Sequence, residues 1–441
     1  MPSTPFDDLA ERLAQALKGS DAGAWIDLDH RIRGALRHGD GVAPAANRFP
    51  AAADRGPTAS ELAVALCGPD GRIREAALHH VSRSPALLPL AVVRCSDWAE
   101  PVRERARAVL RAELPDLAPE TLDRLVAVAL RTADRLRGAA AAELLTAALR
   151  EGPEARTLAL LDSEDRAVRR LAHRIAVERG LLAPARLAAI AATGPDVVVR
   201  DLCAAAAIAA AGRPADAAVL DPLLGSRLGR VRSAGVTALR GTDRAGDAEP
   251  FLYDRSRLVR ACARWVLRQA GTDPLPLYRA ACAAGDAVPA HAPLGLAECG
   301  DRATDGAVLW RLTGHERPGV RAGAVAGLRA LDAVRFDAAG FARLRPLLDD
   351  AAPRVAREAA RTLAPWADHL PDGALVRTGP DREPAGHEEA ALRGDAAGHG
   401  EAAGHEEAAG RGEAAVPGVR AGAIRVLGLV RGWRRRSAPR A

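Results

Sequence analysis

The chain has 441 residues, of which 48% are hydrophobic and only 3% aromatic, so it can bury a large core made mainly of Ala, Leu and Val. Its net charge of +6 is uneven: residues 381–415 carry −6 and residues 416–441 carry +7, which leaves +5 for residues 1–380 once both are subtracted. This modest charge argues against a body built to bind duplex nucleic acid. The chain begins without a basic region followed by an apolar run, and no apolar tract is long enough for a membrane span. We therefore expect a soluble, cytoplasmic protein.

One sequence pattern, Val-Arg-x-x-Ala-x-x-x-Leu, returns along most of the chain at intervals of about 32 residues. A small residue lies four places after the first apolar residue, here called the anchor, and an apolar residue usually lies eight places after it. These offsets fall on one stripe of an α-helix, so the stripe is expected to be buried. The repetition predicts an all-α fold, an α-α superhelix of about eleven helical hairpins. The anchors are Ile73, Val102, Leu136, Val168, Val199, Val231, Val259, Val288, Val320, Val355 and Val419.

In chain order, residues 1–57 are predicted to form an N-terminal helical cap or degenerate repeat, with a helix from about Asp21 to Leu36. The repeat solenoid occupies 58–380, where Thr58 and Glu61 offer a capping box at its start. Residues 381–415 contain five hexapeptides such as Gly-His-Glu-Glu-Ala-Ala and have no apolar face, which predicts a low-complexity, disordered insertion. Residues 416–441 hold the last repeat helix and a basic tail.

Each hairpin is predicted to consist of a first helix, a turn and an anchored second helix, and the turn usually carries an acid. The residue after the anchor is Arg in nine of the eleven copies. The acid is expected to cap the second helix. It is also expected to face the arginine of its own or a neighbouring unit, forming a ladder of exposed ion pairs that contribute only ~0–1 kcal/mol each. The turn at Gly225 lacks an acid and is predicted to be the weakest joint. The acids are Asp70, Asp97, Asp134, Asp165, Asp196, Asp254, Asp286, Glu316 and Asp350.

The sequence contains no P-loop, no His-Glu-x-x-His zinc motif, no nucleophile elbow and no metal-spaced cysteine set. The six cysteines are interpreted as small apolar residues kept reduced. The histidines and glutamates of the hexapeptides offer a weak transition-metal site, with a solvated linker as the alternative. We predict a protein without catalytic activity, cofactor or metal.

Two groups of residues are candidate contacts for a partner. The first lies beside the buried stripe, five or nine places after an anchor, and the second is the cluster near the C-terminus. Such clusters bind a phosphate backbone or an acidic protein surface. A solvated charged face and a solubilising terminal cap are the alternatives that need no partner. The residues are Arg107, Arg111, Arg240, Arg264, Arg268 and Arg329 in the first group, and Trp433, Arg434, Arg435 and Arg436 in the second.

The turn acid, the Val-Arg that starts the second helix, the Ala four places on and the Leu eight places on resemble HEAT repeats. The likeness is to the short HEAT-like type named after phycobilisome lyases. It covers about 58–380 and 416–432 and is close at 161–169 and 349–355. The resemblance implies a non-catalytic scaffold that binds a protein partner on its concave surface. DNA glycosylases built from HEAT-like repeats suggest the alternative, a nucleic-acid-binding protein that uses groove arginines and the Arg-rich tail. Neither a glycosylase site nor a bilin-lyase site can be placed on this sequence residue by residue.

Overall fold

A computed structural model describes residues 11, 13–17, 21–38, 56–211, 216–331 and 338–364. The chain divides into two units, Met1–Asp381 and Arg382–Ala441, and all described residues belong to the first. The predicted insertion, last repeat helix and basic tail lie outside the described residues, as does the copy at Val419.

Helices follow one another along the described residues, and no strand occurs among them. The α-helices are α1 (Ala22–His38), α2 (Ala59–Cys67), α3 (Gly71–Leu78), α4 (Leu88–Arg94), α5 (Glu100–Glu113), α6 (Pro119–Thr132), α7 (Ala139–Glu151), α8 (Glu154–Ala159), α9 (Arg166–Glu178), α10 (Pro184–Thr193), α11 (Val197–Ala209), α12 (Ala217–Leu224), α13 (Gly229–Ala238), α14 (Arg257–Gln269), α15 (Pro274–Cys282), α16 (Ala292–Ala297), α17 (Arg302–Leu312), α18 (Pro318–Ala330), α19 (Ala338–Leu344) and α20 (Pro353–Leu363).

Within the described residues these helices form ten hairpins, which confirms the predicted all-α solenoid. The second helices are α3, α5, α7, α9, α11, α13, α14, α16, α18 and α20. In the seventh unit the first helix is a 3₁₀-helix, Ala245–Tyr253, with Pro250 inside it. Proline has no N–H to donate and its ring clashes with an α-helical carbonyl, so a regular α-helix is disfavoured there.

The predicted stripe of small residues is buried in nearly every unit. Eight of these side chains have no exposed area, and Gly235 is buried as well. The core therefore lies between the helices, where small side chains let neighbouring helix axes approach closely. The eight are Ala77, Ala106, Ala172, Cys203, Ala263, Ala292, Ala324 and Ala359.

The register predicted for the third copy of the repeat is wrong by one residue. Leu136 is 80% exposed and Ala140 is half-buried, so Leu136 is not an anchor. Arg137 adopts a left-handed φ of 65°, and a side chain on Gly138 would lie 1.9 Å from the carbonyl oxygen of Thr132. This tight turn delays the start of α7 and moves the buried stripe by one residue. The buried residues of α7 are Ala141, Leu145 and Leu149.

The N-terminal helix is close to its predicted position, since α1 covers the range expected from about Asp21 to Leu36. It packs against α4 and α6 and buries Trp25 completely. The capping box also forms: the Thr58 hydroxyl accepts from the N–H of Glu61, and the Glu61 carboxylate accepts from the N–H of Thr58 at 2.8 Å.

Candidate interaction surfaces

The arginine after the anchor fixes the turn of its own unit. In seven units its Nη1 donates to the carbonyl oxygen six residues earlier, at 2.6–3.1 Å. These carbonyl groups lie just beyond the first helix, where backbone acceptors have no helical partner. The sequence signal was the recurring arginine itself, but its hydrogen bond to the backbone of its own turn was not predicted. The seven are Arg74, Arg103, Arg169, Arg200, Arg232, Arg260 and Arg321.

Four of these arginines also reach the following unit, where Nε and Nη2 donate to the two oxygens of one carboxylate at 2.5–3.2 Å. In the fourth unit the neighbouring Arg170 replaces Arg169 and binds Asp196. Three of the aspartates in the ladder also accept an N–H two residues later, at 2.7–3.0 Å. One carboxylate thus holds the turn before a second helix and joins two units, whereas the predicted helix caps form at Asp70, Asp165 and Asp196. The four pairs are Arg74 with Asp97, Arg232 with Asp254, Arg260 with Glu298, and Arg321 with Asp350.

The ladder is buried, and the expectation of exposed pairs is wrong. The side chains of Arg74 and Asp97 are both 0% exposed, and those of Arg232 and Asp254 are 9% and 10% exposed. Burial favours a raised pKa for Asp254, but hydrogen bonds from Arg232 and a backbone N–H outweigh it, and the pKa lies below the usual value. Removing one partner of such a pair destabilises a protein by about 3–5 kcal/mol, because the other charge is left buried and unpaired.

Several joints depart from the predicted ladder, among them those at Asp286 and at Gly225. Asp286 is exposed in its turn, and Arg260 binds Glu298 just after α16 instead. This short helix begins later than the pattern predicts, because Pro289 follows the anchor of that unit. At the turn without an acid, the described residues show no carboxylate bound to Arg200, and the Ser226 hydroxyl donates to the carbonyl of Ala192 at 3.2 Å.

Three of the six arginines predicted on the repeats bind carboxylates. Arg264 is buried, and its Nη1 donates to Glu298 at 2.5 Å and to the hydroxyl of Tyr278 at 3.3 Å. Arg107 binds Glu104 at 2.7 Å, within its own helix. The exposed Arg329 joins α18 to α20 through Glu358 at 2.8 Å. The structure therefore places Arg264 in a core network rather than on a surface.

The other three, Arg111, Arg240 and Arg268, are exposed. The guanidinium of Arg240, just after α13, lies 5.2 Å from the ring centroid of Trp265 on α14, a cation–π distance. Arg268 belongs to the same helix as Trp265. We call Arg240, Trp265 and Arg268 the second-helix face. The four predicted C-terminal residues, Trp433 and Arg434 to Arg436, lie outside the described residues.

A second surface lies along the turns that join first and second helices, here called the turn edge. Of the large apolar side chains found exposed in the described residues, all but Leu158 lie in these turns or in the first turn of a second helix. They are Trp98, Leu136, Val197, Val198 and Leu258. The sequence signal was a large apolar residue directly before an anchor, as at Val198 and Leu258, and our sequence reasoning did not use it.

Three further questions about the described residues are whether they hold a metal site, a membrane-spanning helix or reactive cysteines. No group of three His, Cys, Asp or Glu side chains suited to a metal ion occurs among them. Nor does that part of the chain contain a helix long and apolar enough to cross a membrane. All six cysteines are unpaired, and five are buried. Burial raises the pKa of Cys95 and of Cys282 to about 12, which keeps both as unreactive thiols at neutral pH.

Comparison with known proteins gives only distant likenesses. No family model matches the chain, and no curated protein matches it. Among solved structures it is similar to Kap121p (14% identity, TM-score 0.29, 82% of this chain and 48% of that one) and to a Kap121p mutant (14%, 0.28, 84% and 49%). It is also similar to an engineered protein (18%, 0.23, 81% and 98%). The chain spans about half the length of the Kap121p chains, and likeness this weak carries no argument about function.

Proposed function

We propose that the chain is a non-catalytic, cytoplasmic HEAT-like repeat scaffold that binds a protein partner through the second-helix face. The observation that carries this proposal is the stacking of Arg240 on Trp265, with Arg268 exposed on the same helix. Arginine and tryptophan are the residue types that most often supply binding energy at protein interfaces. At the N-terminal ends of the same two helices, the bidentate Arg232–Asp254 pair joins α13 to the turn before α14. A locked pair of helices presents these side chains with little ordering cost on binding.

The HEAT-like assignment, of the short phycobilisome-lyase type, is supported by the repeated turn acid, Val-Arg, Ala and Leu. The buried ion pairs between units explain why an acid and an arginine recur at those positions. The second helices stand side by side along the stack, so their outward faces form a continuous surface, which we propose to be concave and to receive the partner.

The nucleic-acid alternative receives less support from the described residues. Arg107, Arg264 and Arg329 each bind a carboxylate, so they add little positive potential for a phosphate backbone. The alternative now depends on the exposed Arg111, Arg240 and Arg268 and on the C-terminal arginines.

The test compares the native chain with the double variant R240E/R268E and with the control R72E/R166E, which has the same change in charge on the turn edge. Each protein is immobilised, and proteins are captured from cells that produce the chain, with chemical cross-linking to locate the contact. The native chain and the control should capture the same partner. R240E/R268E should capture about tenfold less of it or still less, because two contacts of ~0.7 kcal/mol or more are removed. Equal capture by both variants, or no specific capture by the native chain, refutes the proposal. Binding of labelled oligonucleotides that falls steeply with salt would favour the alternative.

A further inference from the structure

Three consecutive turns of the turn edge form a positively charged, partly apolar surface. They cover residues 194–198, 225–230 and 254–258, directly before or at the start of α11, α13 and α14. Their exposed arginines are Arg227, Arg230, Arg255 and Arg257. Their exposed aliphatic side chains are Val197, Val198 and Leu258. We call these seven residues the central turn patch.

The two acids in these turns are not available to neutralise the patch. Asp196 is buried, binds Arg170 and caps α11, while Asp254 is bound by Arg232. Beside the patch, Asp201 neutralises Arg230 at 2.5 Å. The other three arginines keep net positive charge: the side chain of Arg257 is 86% exposed, and its Nε lies 3.8 Å from the carboxylate of Glu298, which Arg260 already binds.

The patch is continuous across the units. Nη2 of Arg255 donates to the carbonyl oxygen of Arg227 at 2.5 Å, which brings two of the turns into contact. The pair between Arg230 and Asp201 links the same region to α11. The helices α13 and α14 both begin without a side-chain cap, and the positive end of each helix dipole adds to the positive potential.

We propose that the central turn patch binds an extended acidic segment of a partner protein, whose carboxylates meet the arginines and whose aliphatic side chains meet Val198 and Leu258. Charge complementarity argues for an acidic ligand. The presence of aliphatic side chains beside the arginines argues for a peptide, because single-stranded nucleic acid is held by aromatic rings that stack on bases. Neighbouring helices are ~10 Å apart and an extended chain advances ~3.3 Å per residue, so about nine residues cross the three turns. This surface is distinct from the second-helix face, so the proposal does not depend on the proposed function.

The probe is a fluorescein-labelled nonapeptide of three Glu-Glu-Leu triplets, and its binding to the full chain is followed by fluorescence anisotropy. The double variant R227E/R257E reverses two exposed arginines of the patch and leaves Arg255, which joins two of the turns, in place. The control R72E/R166E reverses two exposed arginines in the first turns of α3 and α9. All four positions are exposed, so circular dichroism should show unchanged helix content. We expect affinity to fall by about tenfold in R227E/R257E and to stay within about twofold in the control. Affinity should also fall as salt is raised.

Further probes separate the contributions. A Glu-Glu-Ser peptide should bind the native chain more weakly than the Glu-Glu-Leu peptide, and Leu258→Ser should remove this difference. A Gln-Gln-Leu peptide should not bind. The proposal is overturned if the native chain does not bind the Glu-Glu-Leu peptide, or if both double variants lose the same affinity. It is also overturned if oligothymidylate binds more tightly and is lost in R227E/R257E. The variant R240E/R268E should bind the peptide like the native chain, which keeps this test separate from that of the second-helix face.

Discussion

The joint at Gly225 is predicted to become stronger when the missing acid is supplied by Ser226→Asp. Ser226 lies five residues before its anchor, the same offset as three aspartates of the ladder, and its hydroxyl already accepts from the N–H of Leu228 at 3.3 Å. In the preceding unit Arg200 uses Nη1 for its own turn, as the ladder arginines do, so Nε and Nη2 remain in position for a carboxylate. The equivalent aspartates are Asp97, Asp254 and Asp350.

The size of this effect depends on which hydrogen bonds form and which break. A pair with Arg200 adds hydrogen bonds between charged groups, each with a net value of about 1.5–3 kcal/mol. Against this stand the lost hydrogen bond to Ala192, about 0.5–1.5 kcal/mol, and the desolvation of a carboxylate at a buried position. We therefore expect an increase of about 1 kcal/mol in the free energy of unfolding. In an Arg200→Met background the same aspartate has no partner, and we expect a decrease of about 2 kcal/mol.

The four proteins of this cycle are compared by urea unfolding, followed by far-ultraviolet circular dichroism. Hydrogen exchange locates the change, because stacked repeats open in segments when one joint is weakened. Amide protection should rise in α11 and α13 in Ser226→Asp. If this substitution destabilises the native chain as much as it destabilises Arg200→Met, the geometric equivalence of the joints is wrong.

Three further predictions concern the rest of the stack. Asp254→Asn should lower the free energy of unfolding by about 3 kcal/mol in urea titration, because it leaves the Arg232 charge buried without its counter-ion. The hydrogen bond from Arg321 holds the pKa of Asp350 below its usual value, so its contribution is complete above about pH 4 and is lost as pH falls through that lower pKa. Asp350→Asn should therefore change the urea midpoint strongly at pH 7 and much less at pH 2.5. Gly295→Ala should lower the midpoint of thermal unfolding and cost about 1–3 kcal/mol, because its Cβ would lie 2.2 Å from the ring of Tyr278.

Two matched substitutions serve as controls for these predictions. The pair of Arg150 and Glu178 also joins two units, but its side chains are 49% and 42% exposed, so Glu178→Gln should cost less than about 1 kcal/mol. If Asp254→Asn costs no more than this, burial of the ladder does not govern its strength. A Cβ at Gly246 would meet open space, so Gly246→Ala should change stability little. If Gly295→Ala and Gly246→Ala change the free energy of unfolding equally, the ring of Tyr278 moves aside without loss of stability.

The apolar pattern predicted the fold because the three offsets of the stripe are set by helix geometry alone. It failed at Leu136, where a turn with a left-handed arginine shifts the register, and a pattern of apolar residues contains no signal for that conformation. The pairing in the ladder followed from the turn acids, but its burial did not, since burial depends on side chains of the next unit. Arg264 shows the same limit: it is buried by Glu298, which lies 34 residues further along the chain.

The absence of an acid at Gly225 links the stability of the stack to the proposed binding of an acidic segment. In the turns at Asp97, Asp254 and Asp350 a carboxylate neutralises an arginine inside the stack and accepts a backbone N–H of its own turn. At the exceptional turn a serine takes that position, and Arg227 of the same turn is exposed. Residues retained for binding often reduce stability where they lie. A carboxylate of a bound partner would therefore stabilise the joint that has no acid of its own. The acidic peptide should then raise amide protection in α13 and α14 more than elsewhere in the described chain.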